Sequence, residues 1–179
     1  MTYCVALLLE QGMVFIADTR TNAGLDNIST FRKLTLIERP GDRVLALASA
    51  GNLSMSQSVV SLVMEGLEDP ESGRVERLAD APSLFKAVQL VGRAVRQVRA
   101  EYGPGLAEAK LPFDVSFLFG GQIGEEPMRL FMVYAAGNFI ECGQDAPFLQ
   151  VGEHKYGKPI LDRAVSWDMD LYDALKIGL

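Results

Sequence analysis

Three residues near the start of this chain have the types and order needed for acyl chemistry. Thr2 follows Met1 directly, so removal of that methionine would leave a threonine carrying both a hydroxyl and a free α-amine. A threonine hydroxyl is a weak nucleophile at neutral pH and needs an adjacent base. The α-amine, with a pKa of about 8 in short peptides, can take the hydroxyl proton through a water. Asp18 and Lys33 supply the rest. A lysine near the threonine lowers the proton affinity of its hydroxyl or amine, and an aspartate keeps that lysine charged. Each residue also has an ordinary explanation, since many chains begin with Met and Thr and a single Asp or Lys is commonly a surface charge. Arg20 and Arg32 read as solvated charges or ion-pair partners.

The elements that must position these groups are legible from hydrophobic period. Tyr3 to Leu9 is an apolar strand that turns at Gln11-Gly12 into a second, Met13 to Ala17. The hairpin returns Asp18 to the end of the sheet where Thr2 lies. A polar loop, Arg20 to Phe31, carries Asn22, Gly24, Asp26 and Asn27 and leads to Lys33. Leu34 to Glu38 alternates and ends at Arg39-Pro40-Gly41-Asp42, and Val44 to Ala50 is a further apolar run. The first fifty residues therefore predict four strands in hairpin succession, forming an antiparallel sheet.

The period then changes. Met55, Val59, Leu62, Val63 and Gly66 fall on one helical stripe. Leu67 to Pro82 reads as a long connection. Ser83 is a plausible N-cap for a second helix with Leu84, Val88, Val91, Val95 and Val98 on one face, ended by Gly103-Pro104-Gly105. Arg93, Arg96, Gln97 and Arg99 form its solvated side. Strands follow at Phe113 to Gly120, Met128 to Ala135 and Phe139 to Glu141, with Gly120-Gly121 and Gly137-Asn138 as turns. Tyr156 to Arg163 and Asp168 to Ile177 read as helices, with Gly178 as a C-cap. No Gly-Lys-Ser/Thr follows the glycines at 120, 121 and 124, so they do not make a phosphate loop.

This order is α+β with antiparallel sheets. Stacking two such sheets between helices would give a four-layer αββα sandwich. No strand follows the last helix to complete a second sheet, which predicts one domain, 1–179, cut short at its C-terminal end. At 179 residues and 49% apolar the chain is long enough to bury a proper core. A net charge of −6 argues against nucleic-acid binding. Cys4 and Cys142 give neither a disulfide framework nor metal-ligand spacing, so no metal and no cofactor is expected. Met1-Thr2-Tyr3 does not open a signal peptide, and no apolar run reaches membrane-spanning length, so a cytoplasmic protein without a membrane partner is expected.

Thr2, Asp18 within Ala17-Asp18-Thr19-Arg20, Gly24, Arg32-Lys33 and the small-residue run Ala46 to Gly51 together resemble the proteasome β-subunit superfamily of N-terminal-nucleophile hydrolases. Met1 to Ala6, Ala17 to Gly24, Ser29 to Lys33 and Phe148 to Glu153 with Lys155 to Arg163 are most similar to the bacterial ancestral β-subunit group, Anbu. The resemblance spans essentially the whole chain. It implies that Thr2 is the nucleophile, with Asp18 and Lys33 as its catalytic aspartate and lysine. It matches Ala48 and Ser49 to the segment whose backbone N–H forms the oxyanion hole. Thr21, Arg32, Ala46 and Ala50 fall where β-subunits line the pocket for the residue before the scissile bond, where an inward-pointing Arg favours acidic substrates. Two departures stand out: Gly152-Glu153 replaces the family's glycine–serine pair, and an aspartate and serine supplied from a later segment have no counterpart here.

The resemblance implies a self-compartmentalising threonine endopeptidase acting on peptides or unfolded protein as a homo-oligomer, a ring or an open helical ring. Exposed apolar faces on the first two helices would be its assembly surfaces. Nothing in the sequence marks a docking segment for an ATPase partner. Two alternatives stay open: a proteasome-like assembly without useful peptidase activity, and an N-terminal-nucleophile amidase acting on small amides.

Overall fold

The computed structural model describes residues 2–20, 30–70 and 72–179. The first hairpin pairs β1 (Tyr3–Leu9) with β2 (Gly12–Ala17), and the second pairs β3 (Leu34–Arg39) with β4 (Arg43–Gly51). Both hairpins are antiparallel as expected, but they belong to different sheets, which corrects the single sheet read from their succession. Hairpin pairing is local. Sheet membership is decided by distant partners: β1 also pairs with β10 (Phe148–Gly152), and β4 pairs with β7 (Val115–Ile123). The first sheet has the order β10-β1-β2. The second has the order β3-β4-β7-β8-β9, with β8 at Arg129–Val133 and β9 at Phe139–Glu141.

Side-chain alternation sorts the core. Cys4, Ala6 and Leu8 of β1 meet Ala48 and Ala50 of β4, Leu118 of β7 and Leu130 of β8 in one apolar cluster between the sheets. The opposite face of β1, Val5, Leu7 and Leu9, packs on Leu161 of α3 (Gly157–Ala164) and Ala174 of α4 (Leu171–Gly178). Burial on both faces explains why β1 reads as one continuous apolar run. Leu45 and Leu47 of β4 face α1 (Leu53–Glu65) and α2 (Leu84–Glu108), joined there by Val59, Val88, Val91 and Phe117.

Both long helices begin where their caps predict. The Asn52 side chain accepts the Met55 N–H at 3.2 Å, and Ser83 Oγ accepts the Lys86 N–H at 3.2 Å. The connection between the helices is not structureless: β5 (Leu67–Glu68) and β6 (Val75–Glu76) form a short hairpin, followed by a 3-10 turn at Leu78–Asp80. Gly103-Pro104-Gly105 does not end α2, which continues to Glu108, and Leu106 of that last turn packs against the core. Gly120 and Gly121 are not a turn but lie inside β7, opposite Leu130 and Arg129. Gly178 is the last residue of α4 rather than its cap. Among the described residues no helix is long and apolar enough to cross a membrane.

Candidate active site

Asp18 stands immediately after β2, level with the start of β1. Its N–H donates to the Tyr3 carbonyl at 2.9 Å, and its Oδ1 accepts the Tyr3 N–H at 2.8 Å. The same Oδ1 accepts a hydrogen bond from Lys33 Nζ at 2.6 Å, while Oδ2 accepts the Arg20 N–H at 3.2 Å. Lys33 Nζ also donates to the Arg20 carbonyl. The Lys33 side chain is only 4% exposed, and a buried ammonium is tolerable because this carboxylate and carbonyl satisfy it. The lysine bridges the two sheets. Its side chain is held by Asp18 beside the first, and its carbonyl accepts the Ser49 N–H of β4 at 3.0 Å in the second. Thr2, Asp18 and Lys33 are thus linked through one carboxylate and the peptide unit that follows Thr2.

That ladder bond corrects the expected oxyanion donors. Because the Ser49 N–H is committed to Lys33, strand alternation turns the N–H groups of Ala46, Ala48 and Ala50 toward β7. The bond from the Asn52 N–H to the Asp114 carbonyl, 2.7 Å, keeps the same register. Neither Ala48 nor Ser49 therefore has a free N–H. The Gly51 N–H falls on the Lys33 side, past the end of the β3 ladder, and among the described residues it has no backbone partner. Gly51 has φ +102°, and a Cβ there would lie 2.3 Å from the Asp114 carbonyl oxygen.

Beside Lys33 lies a cavity of about 300 Å³, lined by Arg32, Lys33, Ser49, Ser56, Gln57 and Ser61 among others. Arg32 is exposed and lines it. Ala50 is instead part of the inter-sheet core, and the buried Ala46 lies on the same face of β4, so neither lines this cavity. Ser49 does, because period two puts it on the other face, and α1 supplies Ser56, Gln57 and Ser61. The sequence reading missed these α1 residues, although their spacing at i, i+1 and i+5 next to the apolar stripe was available as a signal. Thr21 lies outside the described residues.

At the other edge of the site, the Glu153 N–H donates to the Thr2 carbonyl at 2.7 Å. A Cβ on Gly152, φ +92°, would sit 2.1 Å from that carbonyl oxygen, so glycine is required where β10 closes on the chain start. The Glu153 carboxylate accepts the Lys155 N–H at 2.8 Å, within its own turn. Cys4, one residue beyond Tyr3, donates through Sγ to the Ser49 carbonyl at 3.6 Å. Burial pushes its thiol up to about 12, against the lowering effect of Lys33 and with a further rise from Asp18, so it is no competing nucleophile.

No family model and no curated protein sequence matches the chain. Solved structures do. A Gly-1 mutant of Anbu from Hyphomicrobium sp. strain MC1 is 50% identical, with a TM-score of 0.85, and the match covers 99% of this chain and 71% of that one. Anbu from Yersinia bercovieri, described as an ancestral β-subunit, is 46% identical with a TM-score of 0.86 and the same coverage. The Anbu complex of Pseudomonas aeruginosa, described as a helical assembly, is 45% identical with a TM-score of 0.88, again over 99% and 71% of the two chains. Helices and antiparallel sheets built around the chain start make this a proteasome-like β-subunit fold. At these identities over nearly its whole length, the chain belongs to the Anbu family of ancestral β-subunits.

Proposed function

We propose that the protein is a threonine peptidase of the proteasome type, cleaving peptide bonds through an acyl-enzyme on Thr2 once Met1 is removed. The observation that carries this reading is Asp18 Oδ1, which takes both the N–H of the residue after Thr2 and the Lys33 ammonium. In the proposed reaction Thr2 Oγ1 attacks the scissile carbonyl carbon and its proton passes to the α-amine, directly or through a water. The Lys33 charge stabilises the developing alkoxide, and the partnerless N–H of Gly51 is the donor for the tetrahedral oxyanion. Collapse breaks the C–N bond, and the leaving amine takes the proton. Water, deprotonated by the same α-amine, then hydrolyses the ester and restores Thr2.

The cavity beside Lys33 would hold the side chain before the scissile bond, with Arg32 in its lining favouring an acidic residue. The three apolar clusters order the elements as helices, sheet, sheet, helices, which supports the four-layer αββα arrangement of N-terminal-nucleophile hydrolases. The helical assembly described for the Pseudomonas aeruginosa relative supports a homo-oligomer, and peptides or unfolded protein are its proposed substrates.

One observation favours a second reading, a structural or peptide-binding assembly without turnover: the Glu153 carboxylate, at the position of the family's serine, is engaged with Lys155. A peptidyl epoxyketone separates the two, since its ring adduct needs both a hydroxyl and a free α-amine. Mass spectrometry should locate the adduct on Thr2 and find none in Thr2→Ala. An intact assembly with a processed but unlabelled Thr2 supports the second reading instead.

A further inference from the structure

A basic concavity lies away from Thr2, between the β5–β6 hairpin, the 3-10 turn and the first half of α2. It encloses about 700 Å³, and Arg74, Arg77, Lys86, Arg93 and Arg96 all line it. Three carboxylates share the lining, Asp69, Glu76 and Asp80, but each is already paired. Asp80 accepts from Arg39 at 2.7 Å, from outside the cavity. Asp69 and Glu76 both pair with Arg93, at 3.3 and 2.7 Å.

Four cations form no ion pair among the described residues, although Asp80 also feels the charge of Arg77. Arg77 Nε donates to the Glu65 carbonyl at 2.8 Å and Arg96 Nη1 to the Gly137 carbonyl at 3.0 Å, bonds that orient each guanidinium without neutralising it. Arg74 and Lys86 are exposed, and neither side chain forms an ion pair. This gathering is out of character for a chain of net charge −6. It also runs against local electrostatics. Lys86 sits in the first turn of α2, where the helix dipole favours anions and where no acidic residue is found. A bound anion would compensate the cations that form no ion pair.

We propose that this concavity binds a multiply charged phosphate ligand. Three of the four unpaired cations are guanidinium groups, whose planar fork matches phosphate oxygens in pairs. Four cations spread across a space of this volume fit a phosphate chain better than a single phosphate. Leu90, Val75 and Phe139 add an apolar part to the lining. The phosphate chain could be inorganic or part of a nucleotide, and the chemistry that recognises it is the same. The site is independent of Thr2 chemistry.

Isothermal titration of the whole protein in low salt with inorganic tripolyphosphate, adenosine triphosphate and citrate tests the proposal. Tripolyphosphate should bind with a Kd below about 1 mM. Citrate, a polycarboxylate of similar charge, should bind at least about tenfold more weakly. Equal affinity for tripolyphosphate and the nucleotide assigns the site to the phosphate chain alone, and tighter nucleotide binding adds a role for the apolar part of the lining. Arg74→Gln with Lys86→Gln, two exposed positions, should cost at least about tenfold in affinity while the Thr2→Ala variant binds normally. A Kd above about 1 mM, citrate binding as well as tripolyphosphate, or no loss in the double variant would each overturn the proposal.

Discussion

At the scale of single residues, Asp18 and Lys33 depend on each other more than on solvent. Lys33 is almost fully enclosed, and its only carboxylate contact among the described residues is Asp18. Asp18→Ala should therefore lower stability by about 3 kcal/mol, because it leaves a buried charge uncompensated. Urea denaturation of the variant measures this, and a loss near zero would mean that the pair is dispensable. Lys33→Met removes the buried ammonium and leaves Asp18 partly exposed and still accepting the Tyr3 and Arg20 N–H groups. It should cost little stability yet slow epoxyketone labelling of Thr2 at least about a hundredfold. The cysteines give a pH signature. Burial raises Cys4 from 9.0 to about 12 and Cys142 to about 11, with Glu141 adding to the latter. The native state thus holds both thiol protons more tightly than the unfolded chain. Their contribution to stability is complete below about pH 9 and is lost as the pH climbs through the folded values. The urea midpoint should fall between pH 8 and pH 10.5, and fall less in Cys4→Ala with Cys142→Ala.

At the scale of elements, the junction between β10 and the start of β1 sets the geometry around Thr2. Gly152→Ala would force a Cβ against the Thr2 carbonyl and move either strand. We expect a loss of about 1–3 kcal/mol together with loss of Thr2 labelling; normal labelling would show that the strands part without disturbing the site. The same junction marks where sequence reasoning stopped. The first hairpin, the Ser83 cap and the linkage of Asp18 to Lys33 could be read because each rests on local period, on cap chemistry or on complementary charge. β10 could not. Its five residues carry no turn signal that distinguishes them from a loop, and their partner lies at the far end of the chain. Gly120-Gly121 reads as a turn by residue type, yet the pair is held in mid-strand by β4 and β8. Gly103-Pro104-Gly105 reads as a stop, but Leu106 packs on the core and carries the helix past it. The proposed oxyanion donor depends on ladder parity, which no side chain reveals.

At the scale of the whole molecule, the outer helices leave apolar side chains in solvent. Tyr156 is 73% exposed and Tyr172 67%, with Ile160 also largely uncovered, all on or beside α3 and α4. The first two helices, named from sequence as the assembly faces, expose Met64, Phe85 and Tyr102 to a lesser degree. Sedimentation should find species far heavier than the 19.5 kDa chain, and a purely monomeric protein at micromolar concentration would count against the proposed compartment.

The lysine that bridges the sheets has a consequence for the cell that makes this chain. A protease subunit is dangerous while it is being synthesised, since every neighbouring nascent polypeptide is a potential target. Here the first sheet brings the carboxylate and the second holds the lysine's backbone, so under the proposed threonine chemistry a chain that has completed only one of them would be inert. On that proposal, tertiary docking would act as a safety interlock, arming the threonine only after the hazardous stage of biogenesis has passed.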